Sequence, residues 1–318
     1  MKILFITSSR IGDAVLSAGL LATIAQSYPD ARVTIVCGPL AVSLFEGYPK
    51  LEKIIPLKKQ KFSRHWVELW KQVAGTCWDM VIDLRNSAVS RLVRAKKRYI
   101  FDKHIDSKLH KVQQNAAVMK LADVPAPKLW FSAKQKKEAE ALIPSGGPVL
   151  GVGPAANWQG KTWPAERFIE IIPFITSSIL PGARVAVFAA PGEEEIACKV
   201  LNSIPADKRI DAIARGDPGT AAAALAKVDF YIGNDSGLMH CAAASGVPTL
   251  GLFGPSWPHL YRPWGSMADY ISTPESYAEL IDYPGYDSQT APCLMESLSV
   301  DMVKVKLESL RPRLKKAV

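Results

Sequence analysis

The chain has 318 residues, 48% of them hydrophobic, and this suits two globular domains of about 150 residues each. It has no apolar run of about 18 residues, and its first apolar stretch, residues 3–6, is followed by polar residues, so neither a signal peptide nor a membrane span is expected. The five cysteines are odd in number and lack C-x-x-C spacing, which excludes a disulfide scaffold and a cysteine-rich zinc site and favours a reducing cytoplasm.

Positive charge is concentrated in the first half. Residues 1–147 carry 24 Lys and Arg against 12 Asp and Glu, a net +12, whereas residues 148–318 carry 15 against 18, a net −3. One basic group comprises Lys58, Lys59, Lys61 and Arg64. Either a solvated basic face or an anionic partner explains this pattern, and nucleic acid or a phosphorylated glycolipid at an anionic membrane would be such a partner. Neither a helix-turn-helix pattern nor aromatic–basic alternation supports nucleic acid.

Short apolar strands alternate with helical stretches through the first half. Strands are predicted at residues 2–7, 32–37, 53–56, 80–83 and 98–101, with a helical stretch after each of the first four. This alternation predicts a mostly parallel sheet with helices on both faces. Gly12 and Asp13 follow the first strand and precede a helix predicted at 14–27. Asp13 is there either a helix cap or, at the carboxyl edge of the sheet, a carboxylate able to take a proton from a substrate hydroxyl.

The second half repeats the pattern. Strands are predicted at 149–153, 184–189, 209–213, 229–232 and 249–253, with helices near Pro164, Glu193, Thr220 and Leu238. Residues 143–148 are rich in Gly and Pro and predict a linker. The predicted domains are therefore 1–145 and 146–298, followed by a terminal helix, 299–318, that is expected to pack back across the cleft between them. Pro173 predicts a kink in the helix that starts near Pro164.

The turn from Asn234 to Gly237 joins a buried strand to a helix of small residues, predicted at 238–245. Asp235 and Ser236 are ordinary helix-capping residues, which is one explanation of the turn. The other is an anion site, because a helix that begins there presents free backbone N–H groups and a positive dipole end at the edge where open α/β sheets bind ligands. His240 lies one helical turn further on, where it could donate to the same anion.

The segment 151–162 resembles two nucleotide-binding patterns and satisfies neither. Gly151-Val-Gly153-Pro-Ala-Ala156 matches G-x-G-x-x-A, but the next helix is predicted only at Pro164. The phosphate-loop pattern ending in Lys161 and Thr162 lacks its first glycine. What remains is a flexible loop that brings Lys161 from a strand end towards Asp235, where a lysine suits a diphosphate. Glu193, also just past a strand, is either an ordinary first-turn acid or a ribose ligand.

These segments resemble a known family. The Gly12-Asp13 turn, the loop Lys161-Thr-Trp-Pro-Ala-Glu-Arg-Phe168 and above all residues 234–248 are similar to the bacterial lipopolysaccharide heptosyltransferases, glycosyltransferase family 9. The resemblance implies an α/β GT-B fold, in which two Rossmann-like domains with parallel sheets face a cleft. The amino-terminal domain would hold the acceptor, and the carboxyl-terminal domain a nucleotide-activated sugar, typically ADP-heptose.

By position, the resemblance makes Asp13 the catalytic base. The donor-binding residues that it implies are Asn157, Lys161, Glu193, Asp235, Ser236, Gly237, Leu238 and His240. Acceptor binding is assigned to Gly12, Lys59, Lys61 and Arg64. Relatives tend to have hydroxyl residues where this chain has Ala156 and Asn157, which leaves the identity of the donor open. No D-x-D motif is present, so neither a metal nor another cofactor is expected.

The predicted function is inverting transfer of a sugar, heptose from ADP-heptose, onto a lipopolysaccharide core or related glycan. The expected partners are the nucleotide sugar and an anionic glycolipid, with no nucleic acid. The expected location is the cytoplasm, with peripheral contact at the cytoplasmic face of the inner membrane. Open alternatives are transfer from another nucleotide sugar, a sugar-nucleotide epimerase, a phosphate-loop ATPase, and a carbohydrate- or nucleic-acid-binding protein without activity.

Overall fold

The computed structural model describes residues 1–287 and 290–314, with side chains to residue 311. Residues 288 and 289, and the last four residues of the terminal segment predicted at 299–318, therefore lie outside the described residues. Contacts divide the chain into two compact units, Met1–Gln135 with Asp217–Thr220, and Lys136–Gly216 with Ala221–Val318. The first division falls inside a helix, about seven residues before the linker predicted at 143–148.

The first unit contains a five-stranded parallel sheet, as the alternating pattern predicted. Its strands are β1 Lys2–Ile6, β2 Arg32–Cys37, β3 Leu51–Pro56, β4 Trp78–Asp83 and β5 Ala95–Ile100. They lie in the order β3-β2-β1-β4-β5, and every neighbouring pair is parallel. The last three begin two or three residues before their predicted starts, because backbone pairing continues through polar residues that the apolar pattern excludes.

The helices of the first unit follow its strands. They are α1 Ile11–Ser27, α2 Arg64–Val73, α3 Val89–Leu92 and α4 Lys111–Val118, while α5 Ala133–Leu142 runs on into the second unit. The segment after β2, predicted as helical, is a 3₁₀-helix, Pro39–Phe45. Leu69 and Val73 of α2 pack with Leu4 and Ile6 of β1, so only one face of α2 is buried.

The second unit contains a six-stranded parallel sheet. Its strands are β6 Val149–Gly153, β7 Arg184–Ala189, β8 Arg209–Ile213, β9 Phe230–Asn234, β10 Thr249–Phe253 and β11 Ala268–Ser272. Their order is β11-β10-β9-β6-β7-β8, with every pair parallel. The sequence analysis missed β11, whose five residues are all only partly buried and include Asp269, so the strand lacks an apolar run.

Seven further helices lie in the described part of the second unit, except that the third of them begins in the segment Asp217–Thr220, which groups with the first unit. They are α6 Ala165–Phe174, α7 Glu194–Asn202, α8 Pro218–Leu225, α9 Gly237–Ala244, α10 Pro258–Tyr261, α11 Tyr277–Ile281 and α12 Val300–Leu314. The disturbance predicted at Pro173 takes the form of a π-helical turn, Ile175–Ile179, directly after α6. The proline has no N–H to donate within the helix, which explains the change of hydrogen-bonding pattern there.

The terminal helix α12 belongs to the core of the second unit. Val303, Leu307 and Leu310 are buried among core residues that include Phe168 and Ile171 of α6. Its packing across a cleft stays a prediction. Among the described helices, none combines the length and the apolar character that crossing a membrane requires.

Candidate functional site

The order of the second sheet creates a crevice beside β6 and β9. These strands are neighbours, but the chain leaves β6 towards β7 on one side and leaves β9 towards β10 on the other. Open parallel sheets bind ligands outside the carboxyl ends of the strands at such a switch point. The loop that carries Lys161 and the turn that carries Asp235 therefore meet at the edge where a ligand is expected.

The loop after β6 is held in place by hydrogen bonds and is not simply flexible, as the sequence had suggested. The buried Asn234 side chain donates to Pro154 O at 2.8 Å and accepts from the Trp163 N–H at 3.1 Å. Trp163 is itself fully buried, and its indole N–H donates to Leu298 O at 2.8 Å. Further along the loop, Gly160 O accepts from the Leu294 N–H at 3.0 Å. Lys161 is therefore presented from a fixed backbone.

Asn234 is a site residue whose role the sequence analysis missed, since it placed Asn234 only in the turn. The available signal was a polar residue at the end of an otherwise apolar strand. A buried amide must find partners, and this one joins the two loops of the crevice.

Three charged or polar side chains meet in the crevice. Lys161 Nζ lies 3.4 Å from Asp235 Oδ2, and His240 Nε2 lies 3.9 Å from Asp235 Oδ1. The side chains of Lys161, Asp235 and His240 are only 18%, 10% and 5% exposed. Buried charges are tolerated when they are paired, so Asp235 stabilises Lys161 in a position that it would otherwise leave for solvent.

The turn after β9 has the form of an anion site. Ser236 is the N-cap of α9 with an extended backbone, and its Oγ accepts from the Met239 N–H at the long distance of 3.5 Å. Ser236 therefore does cap the helix, but only through a weak hydrogen bond. Ser236, Gly237 and Leu238 are partly exposed, at a helix end where the first backbone N–H groups have no intrahelical acceptor. This end can receive a phosphate.

Glu193 lies at the N-cap position of α7, after β7. Its carboxylate accepts from the Ala190 N–H at 3.0 Å. Burial raises the pKa of the Glu193 carboxyl, and Glu194 adds to the rise, while the Ala190 N–H and the charge of Lys161 oppose it. Glu193 therefore lies within electrostatic range of Lys161.

A tyrosine explains the glycines of the G-x-G-x-x-A pattern. Gly151 and Gly153 lie inside β6, and the Tyr231 side chain of β9, fully buried, covers them. A Cβ on Gly151 would come within 3.1 Å of the ring, and one on Gly153 would overlap the hydroxyl. These glycines make room for a tyrosine instead of forming a dinucleotide-binding turn.

The Tyr231 hydroxyl has no hydrogen-bond partner among the described residues. Leaving a buried hydroxyl unsatisfied costs about 1–3 kcal/mol, and such groups in native proteins call for a specific explanation. Burial raises the pKa of Tyr231 far above its usual range, and the neighbouring Ser236 hydroxyl opposes this only partly.

The remaining predicted donor residue is Asn157, which is exposed on the loop after β6. The phosphate-loop interpretation is unsupported by this geometry, because the Thr162 hydroxyl donates to Trp158 O and α6 begins only at Ala165. Within the described residues, no group of three or more His, Cys, Asp or Glu side chains could hold a metal ion.

The predicted base and acceptor residues lie in the first unit. Gly12 and Asp13 are in the first turn of α1, which begins three residues before the predicted start, and the Ser8 hydroxyl donates to Asp13 Oδ2 at 3.3 Å. Lys59, Lys61 and Arg64 are exposed at and before the start of α2.

Exposed apolar side chains accompany these basic residues. Phe62 is 95% exposed, Val67 55% and Trp70 40%. We define the α2 surface as these three residues together with Lys58, Lys59, Lys61, Arg64 and Lys71. Among residues 1–287 and 290–314, none of its five cationic side chains has an ion-pair partner. The surface thus combines uncompensated positive charge with accessible apolar area.

Comparison with known proteins agrees with the fold. The model of glycosyltransferase family 9 (heptosyltransferase) matches residues 66–282, more than half of the chain. The protein is therefore a glycosyltransferase. It belongs to glycosyltransferase family 9, the heptosyltransferase family.

Individual relatives are distant but cover most of the chain. The lipooligosaccharide heptosyltransferase 2 of Campylobacter jejuni is 26% identical over 278 residues, 83% of this chain and 84% of that protein. A family 9 glycosyltransferase structure from Veillonella parvula has a TM-score of 0.78 at 20% identity and covers 98% of this chain and 97% of that one. The ADP-heptose LPS heptosyltransferase II structure from E. coli has a TM-score of 0.73 at 22% identity and covers 99% and 100%. The fold of two parallel α/β sheets is thus the GT-B-type fold of heptosyltransferases, as predicted.

Proposed function

We propose that the protein transfers a heptosyl group from ADP-heptose to a lipopolysaccharide-core acceptor. The names of its relatives support this donor and this class of acceptor. The observation that carries the proposal is the buried cluster of Lys161, Asp235 and His240 at the switch point of the second sheet. This cluster adjoins the partly exposed start of α9 and so combines a fixed cation with a helix N-terminus, which suits a diphosphate.

In this proposal, Lys161 and the N–H groups at Ser236 and Gly237 bind the donor diphosphate. Glu193, which lies after the neighbouring strand β7 and within electrostatic range of Lys161, binds the ribose. Asn157, Leu238, Asp235 and His240 complete the donor site around the diphosphate and the sugar.

The proposed reaction is a single inverting displacement. The acceptor oxygen attacks the anomeric carbon from the face opposite the diphosphate, Asp13 takes the acceptor proton, and the electron pair of the breaking bond leaves with ADP. Negative charge then grows on the diphosphate, where Lys161 and the helix terminus are already fixed. Groups placed in advance around a developing charge stabilise the transition state more than the ground state. We propose that they serve in place of a metal ion, so no cofactor is required.

The acceptor is proposed to bind the first unit through Gly12, Lys59, Lys61 and Arg64. Exposed cations without partners attract phosphorylated glycolipids. We further propose a cytoplasmic enzyme that contacts the inner face of the inner membrane through the α2 surface, because exposed aromatic and basic residues together favour an anionic lipid interface.

Calorimetry with ADP, UDP and GDP tests the donor site directly. ADP should bind most tightly, and Lys161→Ala should weaken ADP binding by about tenfold or more, because a charge-assisted contact to phosphate is lost. A preference for UDP or GDP, or unchanged ADP binding in Lys161→Ala, would contradict the proposed site.

The role of Asp13 is tested by separating binding from transfer. Asp13→Ala should abolish heptosyl transfer to a phosphorylated core acceptor and leave ADP affinity unchanged, because a general base contributes to the chemical step. Radiolabelled heptose incorporation and calorimetry measure the two properties. Retained turnover in Asp13→Ala would exclude the role, and consumption of ADP-heptose without any acceptor would favour an epimerase.

A further inference from the structure

The Tyr231 ring lies over Gly151 and Gly153 of β6. Its hydroxyl end is at the carboxyl edge of the sheet, where a ligand is expected. Its hydroxyl lies over Gly153 and Gly233, at the carboxyl ends of β6 and β9, where an added Cβ on Gly233 would come within 2.6 Å of the hydroxyl oxygen. The side chain is fully buried. A phenylalanine would fill the same space without leaving a polar atom unsatisfied, so packing alone does not account for the hydroxyl.

The Tyr231 hydroxyl lies over Gly233, near the carboxyl end of β9, and Ser236 is the N-cap residue in the turn that follows this strand. In agreement with this placement, burial raises the pKa of Tyr231 and the Ser236 side chain acts in the opposite direction, to a smaller extent. In the present geometry the Tyr231 hydroxyl has no hydrogen-bond partner among the described residues, while Ser236 Oγ accepts a long hydrogen bond from Met239. A serine hydroxyl has one hydrogen to donate and two lone pairs that can accept. Ser236 can therefore accept from Tyr231 and still donate to a ligand.

We infer that Tyr231 is a positioning residue for the donor diphosphate: its hydroxyl donates to Ser236 Oγ when Ser236 turns its own hydrogen towards a phosphate oxygen. This inference rests on the proposed donor site and adds a residue to it. Donor binding thereby gives the buried Tyr231 hydroxyl a hydrogen-bond acceptor. The glycines of β6 and β9 are needed because they leave room for the phenol to reach this position.

Tyr231→Phe tests the inference, because the change removes only the hydroxyl. ADP affinity should fall about three- to tenfold, the range expected for one hydrogen bond. The melting temperature of the unliganded protein should stay the same or rise, because an unsatisfied buried group is removed.

Tyr48→Phe is the matched control, because the Tyr48 hydroxyl is also buried but already donates to Leu21 O at 3.0 Å in the first unit. That variant should lower the melting temperature and leave ADP affinity unchanged. If Tyr231→Phe behaves like Tyr48→Phe, the Tyr231 hydroxyl is structural and the inference is wrong.

A double-mutant cycle with Ser236→Ala tests whether Tyr231 acts through Ser236. Tyr231→Phe should have no further effect on ADP affinity in the Ser236→Ala background, since the group it positions is gone. Equal effects in both backgrounds would overturn the inference. The outcome is distinguishable from failure of the donor site: if neither Lys161→Ala nor Ser236→Ala changes ADP affinity, the proposed site itself is wrong.

Discussion

Asp235 is one carboxylate with two basic neighbours, Lys161 at 3.4 Å and His240 at 3.9 Å. This carboxylate compensates the charge of Lys161, so the lysine can stay in a crevice where it is 18% exposed. In the proposed donor site, a diphosphate would give the same lysine a second anionic partner without the lysine having to be ordered first. An ordered cation loses less conformational entropy on binding than a mobile one.

Glu193 gives a pH-dependent prediction at the residue scale. Burial raises the pKa of its carboxyl in the folded state, so the ionised form is disfavoured by folding. Below about pH 4, the ordinary pKa of Glu, the Glu193 carboxyl is protonated in both the folded and the unfolded protein, so its burial does not lower stability. As the pH rises from there through the raised pKa of the folded state, the unfolded protein ionises more readily than the folded one, and the free energy of unfolding falls.

Glu193→Gln should therefore raise the melting temperature at neutral pH, and the difference should vanish in acid. The amide oxygen can still accept from the Ala190 N–H. Thermal unfolding from about pH 4 to pH 8 measures this. Glu195→Gln is the control, because Glu195 is exposed in the first turn of α7 and is not among the groups that shift the pKa of Glu193. It should not raise the melting temperature at neutral pH. A Gln variant of Glu193 that is less stable at neutral pH would contradict the prediction.

At the element scale, β6 requires glycine at positions 151 and 153 because the Tyr231 side chain lies against the backbone there. Gly153→Ala should lower the free energy of unfolding by about 1–3 kcal/mol, the usual effect of inserting a methyl group into a packed core. The added Cβ overlaps the Tyr231 hydroxyl, so Tyr231→Phe in the same chain should recover part of the loss.

Urea unfolding measures both effects. Gly75→Ala is the control, because nothing lies within 4 Å of a Cβ at that glycine, and its free energy of unfolding should change by no more than about 0.5 kcal/mol. If Gly153→Ala is as stable as Gly75→Ala, the close approach of Tyr231 to β6 is wrong.

Local sequence patterns predicted the elements that bury apolar side chains. Strands such as β6, β7 and β10 have the predicted bounds, since they consist almost entirely of buried residues and form continuous apolar runs. The pattern failed at β11, which is only partly buried. The shared sheet edge did predict that Lys161 and Asp235, 74 residues apart, approach each other. The position of Tyr231 over Gly153 was missed, because it depends on β6 and β9 being neighbours. Spacing within one segment carries no information about such pairs.

On the scale of the whole molecule, charge and exposed apolar area coincide on the α2 surface. Phe62→Ser combined with Val67→Ser should weaken binding to vesicles that contain anionic lipid by about tenfold or more, since burying one large apolar side chain contributes about 1.5–3 kcal/mol. Binding of the unaltered protein should fall as salt is added. Co-sedimentation with anionic and with neutral vesicles measures both.

Val305→Ser is the matched control, because Val305 is 71% exposed but lies on α12, in the second unit. It should leave vesicle binding unchanged. Transfer to a soluble, delipidated acceptor should also be unaffected by the Phe62 and Val67 changes, which separates lipid contact from acceptor recognition. Equal vesicle binding by all three proteins would exclude the α2 surface as the membrane contact.

The strand order of the second sheet also has a consequence for biosynthesis. Strand β6 leaves the ribosome about 80 residues before β9, the neighbour that covers one of its edges, and at about 5–20 residues per second this interval lasts roughly 4–16 seconds. During this time a strand whose five residues are all buried in the finished protein has an unpaired apolar edge. Such edges favour aggregation, so a nascent chain that stalls before Phe230 should depend on chaperones more than one that stalls after Phe253.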